Sequence, residues 1–400
     1  MEKEFFHEAV AALVARGVIG DDPIIRSRAM LTLRALRWRA RDTSKGSPMI
    51  SRARGALLGL ACGDALGTTL EFTHPIGMPK YPTLATGPLT EIQGGGPFRV
   101  EPGQVTDDTM MACALAASLA AGQGAALNPK DVAERYAEWQ RHTFDIGGQT
   151  SGSIRAFVRH QNPLTCGEGY WDQGGRRAAG NGSLMRTAPI GVFFADEDAM
   201  RLEASILDSA ITHFDPKCLL ACAAYNAAVA AGVRGERRKH GASPGTMFGA
   251  ADRELDRARS FCWDRWPCWR NEIDNAYGAL LDDLSHALDR DPNLYGKEVN
   301  LLSTQGYVRV AFRLSFWYLM NGSSFRESLI DVVNRGGDSD TNGAIVGGLL
   351  GAYYGEWSIP ESWREKVLGA LQNQAPGPLR DTYHPKVLLA MLDLKGPDVL

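Results

Sequence analysis

The chain is poor in the features that mark a disulfide scaffold, a membrane protein or a nucleic-acid binder. Only seven of its 400 residues are cysteine, and they form no CxxC pair and no zinc-like cluster. An odd number without a framework points away from a disulfide-built domain and towards a reducing cytoplasm. Neither sign of charge dominates. The formal net charge is −3, so no global field draws the chain to nucleic acid or to an anionic membrane. No apolar run is read as reaching the roughly 18 residues that a bilayer span requires. The acidic, amphipathic start MEKEFFHEAV is unlike a signal peptide. Clean alternation at period two is rare, which argues against a sheet. Neither a phosphate-binding GxxxxGK stretch nor a GxGxxG turn after a strand is found, so nucleoside-triphosphate and dinucleotide chemistry fit poorly. Internal repeats and low-complexity tracts are missing too.

What is present is alanine, leucine and glycine in helical patterns. The apolar fraction of 44% and charged fraction of 22% suit a globular protein with a sizeable core. Phe6, Val10, Leu13 and Val14 share one helical face, and Gly17 stops it. Asp22-Pro23 opens a second helix reaching about Arg41, with Ile25, Ala29, Leu33 and Leu36 on one side. Arg26 to Arg54 holds nine basic residues and one acidic one. DTSKGSPM then reads as a linker. Residues 1–49 are therefore predicted to be a helical N-terminal extension, and residues 50–400 one large all-α domain. Within it, helices are expected over 107–121, 129–141, 149–160, 199–210, 216–233, 272–289, 304–320, 325–334 and 340–354. The Pro- and Gly-rich stretch 73–104 reads as an irregular surface loop, and so does 235–245. FCWDRWPCW reads as a packed cap on the core.

Two acidic blocks stand out. One is GQVTDDTM at 103–110, followed by small apolar residues; the other is NRGGDSDTNG at 334–343, followed by AIVGGLLGAYYG. Each is a glycine bend, two carboxylates with hydroxyls beside them, and a small-residue helix. Capping accounts for either block alone, because Asp, Ser and Thr are favoured at helix starts and acids suit the positive end of the dipole. Capping uses one carboxylate, however, and each block supplies two. Brought together, the blocks would crowd four carboxylates into one pocket, which needs cations to offset the charge. Hard oxygen donors select Mg²⁺, Mn²⁺ or Ca²⁺.

The motifs GALLGLACGDALGTTLEF, GQVTDDTMMACALAASL, GNGSLMR, ITHFDP and VVNRGGDSDTNGAIVGGLLGAYYG, in this order, resemble the ADP-ribosylglycohydrolase family. The branch most similar is the dinitrogenase-reductase-activating glycohydrolase type, and the resemblance covers about residues 51–360. It implies a compact, orthogonal all-α domain and two divalent cations, Mg²⁺ or Mn²⁺. It also implies removal of ADP-ribose from modified protein side chains, arginine in this branch. The metal ligands implied are Thr106, Asp107, Asp108, Asp338, Asp340 and Thr341. The catalytic candidates implied are Asp107, Asp340, Glu71, which matches a mobile glutamate near the metals, and Asp145, which matches a carboxylate touching the substrate ribose. Gly180, Asn181, Gly182, Ser183 and Met185 match the loop that contacts the diphosphate and ribose. His213 matches a histidine lining the distal part of the ligand. Glu71 as a solvated loop acid, Asp145 as a cap of the following helix and His213 as a core histidine are the plainer alternatives. Ser339 stands where Thr or Ala is common, and 235–270 looks expanded. The implied partner is an ADP-ribosylated protein, with no nucleic acid or membrane. Some bacterial members are similar to antidotes of ADP-ribosylating toxins, which implies an alternative: residues 1–49 bind and cover an ADP-ribosyltransferase, with or without the hydrolase activity.

Overall fold

Small residues at every fourth position decide the centre of the molecule. The computed structural model describes residues 48–122, 126–235, 242–372 and 381–393. The expected extension lies, but for its last two residues, outside them. The α-helices are α1 (Pro48–Gly67), α2 (Asp107–Ala121), α3 (Pro129–Gln140), α4 (Gly148–His160), α5 (Pro163–Gln173), α6 (Ala188–Phe193), α7 (Asp198–Thr212), α8 (Pro216–Arg234), α9 (Pro244–Arg265), α10 (Arg270–Ala287), α11 (Val308–Asn321), α12 (Phe325–Asn334), α13 (Ser339–Tyr354), α14 (Glu361–Gly369) and α15 (Lys386–Asp393). Among the described residues there are isolated β-bridges but no strand or sheet. The fold is all-α.

Helices α1 and α13 lie antiparallel with their backbones in contact. Gly55, Gly59, Gly63 and Gly67 face Gly351, Gly347, Gly343 and Ser339 in turn. Residues four apart share a helix face, so each set forms a stripe without side-chain bulk. A Cβ on Gly63 would stand 2.0 Å from the Gly343 carbonyl oxygen, so only glycine permits this approach. The register carries the end of α1 to the start of α13. Helix α8 packs on α7, α9 and α13 within the core. By length and composition it could cross a membrane, which amends the reading that no run is long enough; yet 89% of its apolar window is buried inside the fold. It is a core helix.

Many helix starts follow local chemistry. Asn128, Asn162, Asp215, Ser243 and Ser324 each accept a backbone N–H from the first turn of α3, α5, α8, α9 and α12. Four of those helices have proline near their first position. The stretch 73–104 lacks helix and strand, as read, but it is strapped down rather than merely superficial. Ala85 N donates to Asp331 Oδ1 at 2.6 Å and Leu89 N to Asn334 Oδ1 at 2.9 Å. Arg335 donates to the carbonyls of Pro79 and Thr83 and lies 3.5 Å over the Tyr81 ring. In FCWDRWPCW, Trp266 is buried edge-on to Phe214 and the half-buried Trp269 packs on Trp171.

Candidate active site

Helices α2 and α13 begin without side-chain caps. Thr106 and Asp338 stand at the N-cap positions, yet neither side chain accepts a hydrogen bond from its own first turn. The simple capping account therefore fails for the first block; in the second only Asp340 Oδ1 meets a first-turn N–H, that of Thr341 at 2.9 Å, and Asp338 is left over. Asp107, Asp108, Asp338 and Asp340 are all buried, and they converge with Glu71 and Asp145. Glu71 follows a 3-10 turn, Thr68–Leu70, that continues α1. Its neighbour Phe72 donates its N–H to the Gly337 carbonyl, and Gly337 N–H returns to Thr73. The Glu71 segment is thereby pinned to the second acidic block. Glu71, Asp145 and Asp340 each offer an oxygen within 4.8 Å of the others.

Asp64 holds the first block in place, and the sequence reading passed over it. It is fully buried near the end of α1. Its carboxylate accepts Thr106 N–H at 3.1 Å, Thr106 Oγ1–H at 2.9 Å and Thr109 N–H at 3.2 Å, together with the Thr109 hydroxyl. With its proton directed to Asp64, the Thr106 hydroxyl keeps lone pairs for a ligand. Asn181 does a similar task opposite: its Nδ2 donates to Asp338 Oδ2 at 2.7 Å, and its N–H is fixed by the Gly306 carbonyl at 2.9 Å.

The electrostatics describe a pocket that lacks positive charge. Burial, then the Asp145 and Asp338 charges, push Glu71 up to about 9. Burial raises Asp107, Asp108 and Asp340 well above the usual carboxylate range, and neighbouring carboxylates add to it. Asp145 is held at about 6, mainly by burial. Glu71 Oε2 and Asp108 Oδ1 are buried without a hydrogen-bond partner. Such orphaned oxygens in an all-oxygen donor set fit a divalent cation. Burial and these contacts leave little room for Glu71 as a solvated loop acid. Asp145 is half-buried at the edge of the cluster, and α4 starts without a side-chain cap.

The loop 180–186 forms the adjoining wall. Its backbone is partly committed: Gly180 N–H donates to Gln149 Oε1 at 3.1 Å, and Asn181 N–H is taken as above. Gly182 and Ser183 N–H meet no protein acceptor among the described residues, so they are the donors left for an anion. The Ser183 hydroxyl turns inward to Ser209 Oγ at 2.8 Å, and Met185 is buried. His213 packs its ring against Gly180 and Gly182. Burial and then the Arg186 charge hold its pKa well below the usual value, so it is neutral. Thr341 lies at the start of α13 beside Asp340.

A family model described as ADP-ribosylglycohydrolase matches residues 46–388. The chain is 31% identical over 325 residues to ADP-ribosyl-(dinitrogen reductase) glycohydrolase of Rhodospirillum rubrum, covering 80% of this chain and 92% of that protein. It is 28% identical over 339 residues to ADP-ribosylarginine hydrolase Tri1 of Serratia proteamaculans, covering 80% and 76%. A solved structure named an ADP-ribosylglycohydrolase-related protein complex superposes with a TM-score of 0.61 at 28% identity, over 87% of this chain and 99% of the other.

Proposed function

Because the chain belongs to the ADP-ribosylglycohydrolase family, we propose that it removes ADP-ribose from arginine side chains of a modified protein. The observation that carries this reading is the convergence of two acidic helix mouths on one buried, positively unpaired pocket beside Glu71 and Asp145. Thr106, Asp107, Asp108, Asp338, Asp340 and Thr341 would hold two divalent cations, Mg²⁺ or Mn²⁺. Such ions, when bound, orient ribose hydroxyls and lower the pKa of bound water. The free N–H groups of Gly182 and Ser183, with His213, hold the diphosphate and its ribose. Asp145 takes the proton of the water that adds to C1″ as the C1″–N bond breaks. Glu71, on the other side of the pocket, hands a proton to the departing guanidine nitrogen as that bond breaks. Two relatives at 28% and 29% identity, both named ADP-ribosylarginine hydrolase, support arginine. So does an acidic pocket facing a cationic leaving group.

The test uses ADP-ribosylated arginine, ADP-ribosylated serine and O-acetyl-ADP-ribose, with Mg²⁺ and Mn²⁺. Cleavage of the arginine substrate is expected, falling at least about a hundredfold in Asp107→Ala and Asp340→Ala. Wild-type rates in both variants, or cleavage of serine alone, would refute it. The seven free cysteines support a reducing, cytoplasmic setting for this activity.

A second reading concerns residues 1–49. The family match starts at residue 46, leaving the basic segment before it outside the matched domain. This supports a role in covering an ADP-ribosyltransferase toxin, alongside hydrolysis. Deleting residues 1–45 should leave hydrolysis intact and abolish pull-down of a transferase. Unchanged pull-down would reject the role.

A further inference from the structure

Behind the loop 180–186 lies a chain of hydrogen bonds that ends at a histidine nitrogen. Arg186 is fully buried. Its guanidinium lies 4.5 Å over the Tyr136 ring, and Nε donates to Asp208 Oδ2 at 3.2 Å. Tyr136 donates its hydroxyl to Asp208 Oδ1 at 2.7 Å, completing the support. Arg186 Nη1 donates to the Gly182 carbonyl at 3.2 Å, and Nη2 to Thr212 Oγ1 at 2.9 Å. Thr212 Oγ1 in turn lies 2.9 Å from His213 Nδ1.

The direction of these bonds follows from the donors. A guanidinium can only donate, so the Thr212 hydroxyl accepts from Arg186. Its own proton is then free for Nδ1. The reverse arrangement, with Nδ1–H donating to Thr212, leaves a buried hydroxyl proton without an acceptor. A neutral imidazole that accepts at Nδ1 carries its proton on Nε2. That nitrogen would stand 2.9 Å from a Cβ at Gly182 and 3.3 Å from one at Gly180. Only glycine leaves it uncovered there. Nε2 has no hydrogen-bond partner among the described residues, although His213 is only 2% exposed.

We propose that Arg186 and Thr212 act as a relay that fixes His213 in its Nε2–H tautomer, so that a neutral N–H donor faces an oxygen of the ligand seated on Gly182 and Ser183. Arg186 and Thr212 are positioning residues in this scheme. The ligand's identity as ADP-ribose rests on the proposed function; the tautomer does not. Burial and the Arg186 charge keep His213 neutral, which the scheme requires.

The test is long-range ¹H–¹⁵N NMR on the full chain labelled at histidine, with ADP-ribose titrated calorimetrically into the Mg²⁺-loaded protein. The His213 signal is assigned among the eight histidines by its loss in His213→Gln. Wild type should show one tautomer, protonated at Nε2. Thr212→Val should mix the tautomers and raise the ADP-ribose Kd about tenfold, the scale of one neutral hydrogen bond. Thr212→Ser should restore both. Protonation at Nδ1 in wild type, or an unchanged tautomer in Thr212→Val, would overturn the relay. Wild type that binds no ADP-ribose would instead overturn the hydrolase reading, while the nitrogen shifts still decide the relay.

Discussion

The backbones of Gly59 and Gly347 touch: a Cβ added to Gly59 would stand 2.2 Å from the Gly347 carbonyl oxygen. The obstructing atom belongs to a helix backbone, so nothing flexible can give way. Gly59→Ala should therefore destabilise the protein by about 1–3 kcal/mol, the usual cost of overpacking, although alanine is the better helix former. Gly63→Ala lies beside Asp64 and should also weaken cation binding, because it pushes the two acidic blocks apart. Gly278→Ala on α10 is the control: its added Cβ meets nothing, and a gain of about 0.5–1 kcal/mol is expected. Urea denaturation reads all three; an unaltered midpoint in Gly59→Ala would contradict the contact.

Asp64→Asn should leave the fold standing and loosen the first acidic block. An amide nitrogen would face the Thr106 and Thr109 N–H groups that now meet carboxylate oxygens. Partners of metal ligands typically matter by about 10–100-fold in affinity. Mn²⁺ titration followed by electron paramagnetic resonance should show a drop of that order, with circular dichroism unchanged. Wild-type affinity would remove Asp64 from the site.

The metal-free protein should lose stability as pH rises. Glu71 holds its proton up to about 9 when folded, against 4.5 as the ordinary value. Between those limits the folded state binds more protons than the unfolded state, so unfolding becomes easier with increasing pH. Asp64 and Asp145, each at about 6 against 3.8, act in the lower part of the same window. Chelated protein should melt at steadily lower temperature from pH 5 to pH 9, and Mn²⁺ should flatten or invert that slope. A melting temperature that climbs with pH in chelator would contradict the unpaired pocket.

Asp331→Asn should release the strap over residues 73–104. Asp331 takes the Arg335 guanidinium at 2.9 Å, the Tyr318 hydroxyl at 2.6 Å and the Ala85 N–H. Removing its charge leaves Arg335 buried and unpaired, which costs about 3–5 kcal/mol. Trypsin should then cut after the exposed Lys80 faster than in wild type. Equal cleavage rates would mean that the strap is held elsewhere.

Much of the helical plan was legible because its signals are local. Proline after a capping residue opens α8, expected from 216 and found at Pro216–Arg234. The acidic blocks opening α2 and α13 were read within a residue of their starts. Helix α11 begins at Val308 rather than 304, because Gly306 turns at φ +76° and Tyr307 stays extended at the N-cap position. Helices α5 and α6 went unread behind glycines and prolines, and α9 behind the SPG turn at 243–245, whose serine in fact caps it. Its buried Met247, Ala251, Leu255, Ala258 and Cys262 do follow a helical period.

The site divides in the same way. Residue types chosen along the chain determined that two helix mouths carry paired carboxylates, because that chemistry is complete within a few residues. Asp64 gave no such signal: it is a lone acid in an apolar helix, and its partners are 42 and 45 residues away. That Glu71, Asp145 and Asp340 share one pocket was decided by tertiary structure alone. Two glycine stripes set the register of α1 on α13, and contact between two backbones is a property of the pair that neither stretch carries by itself.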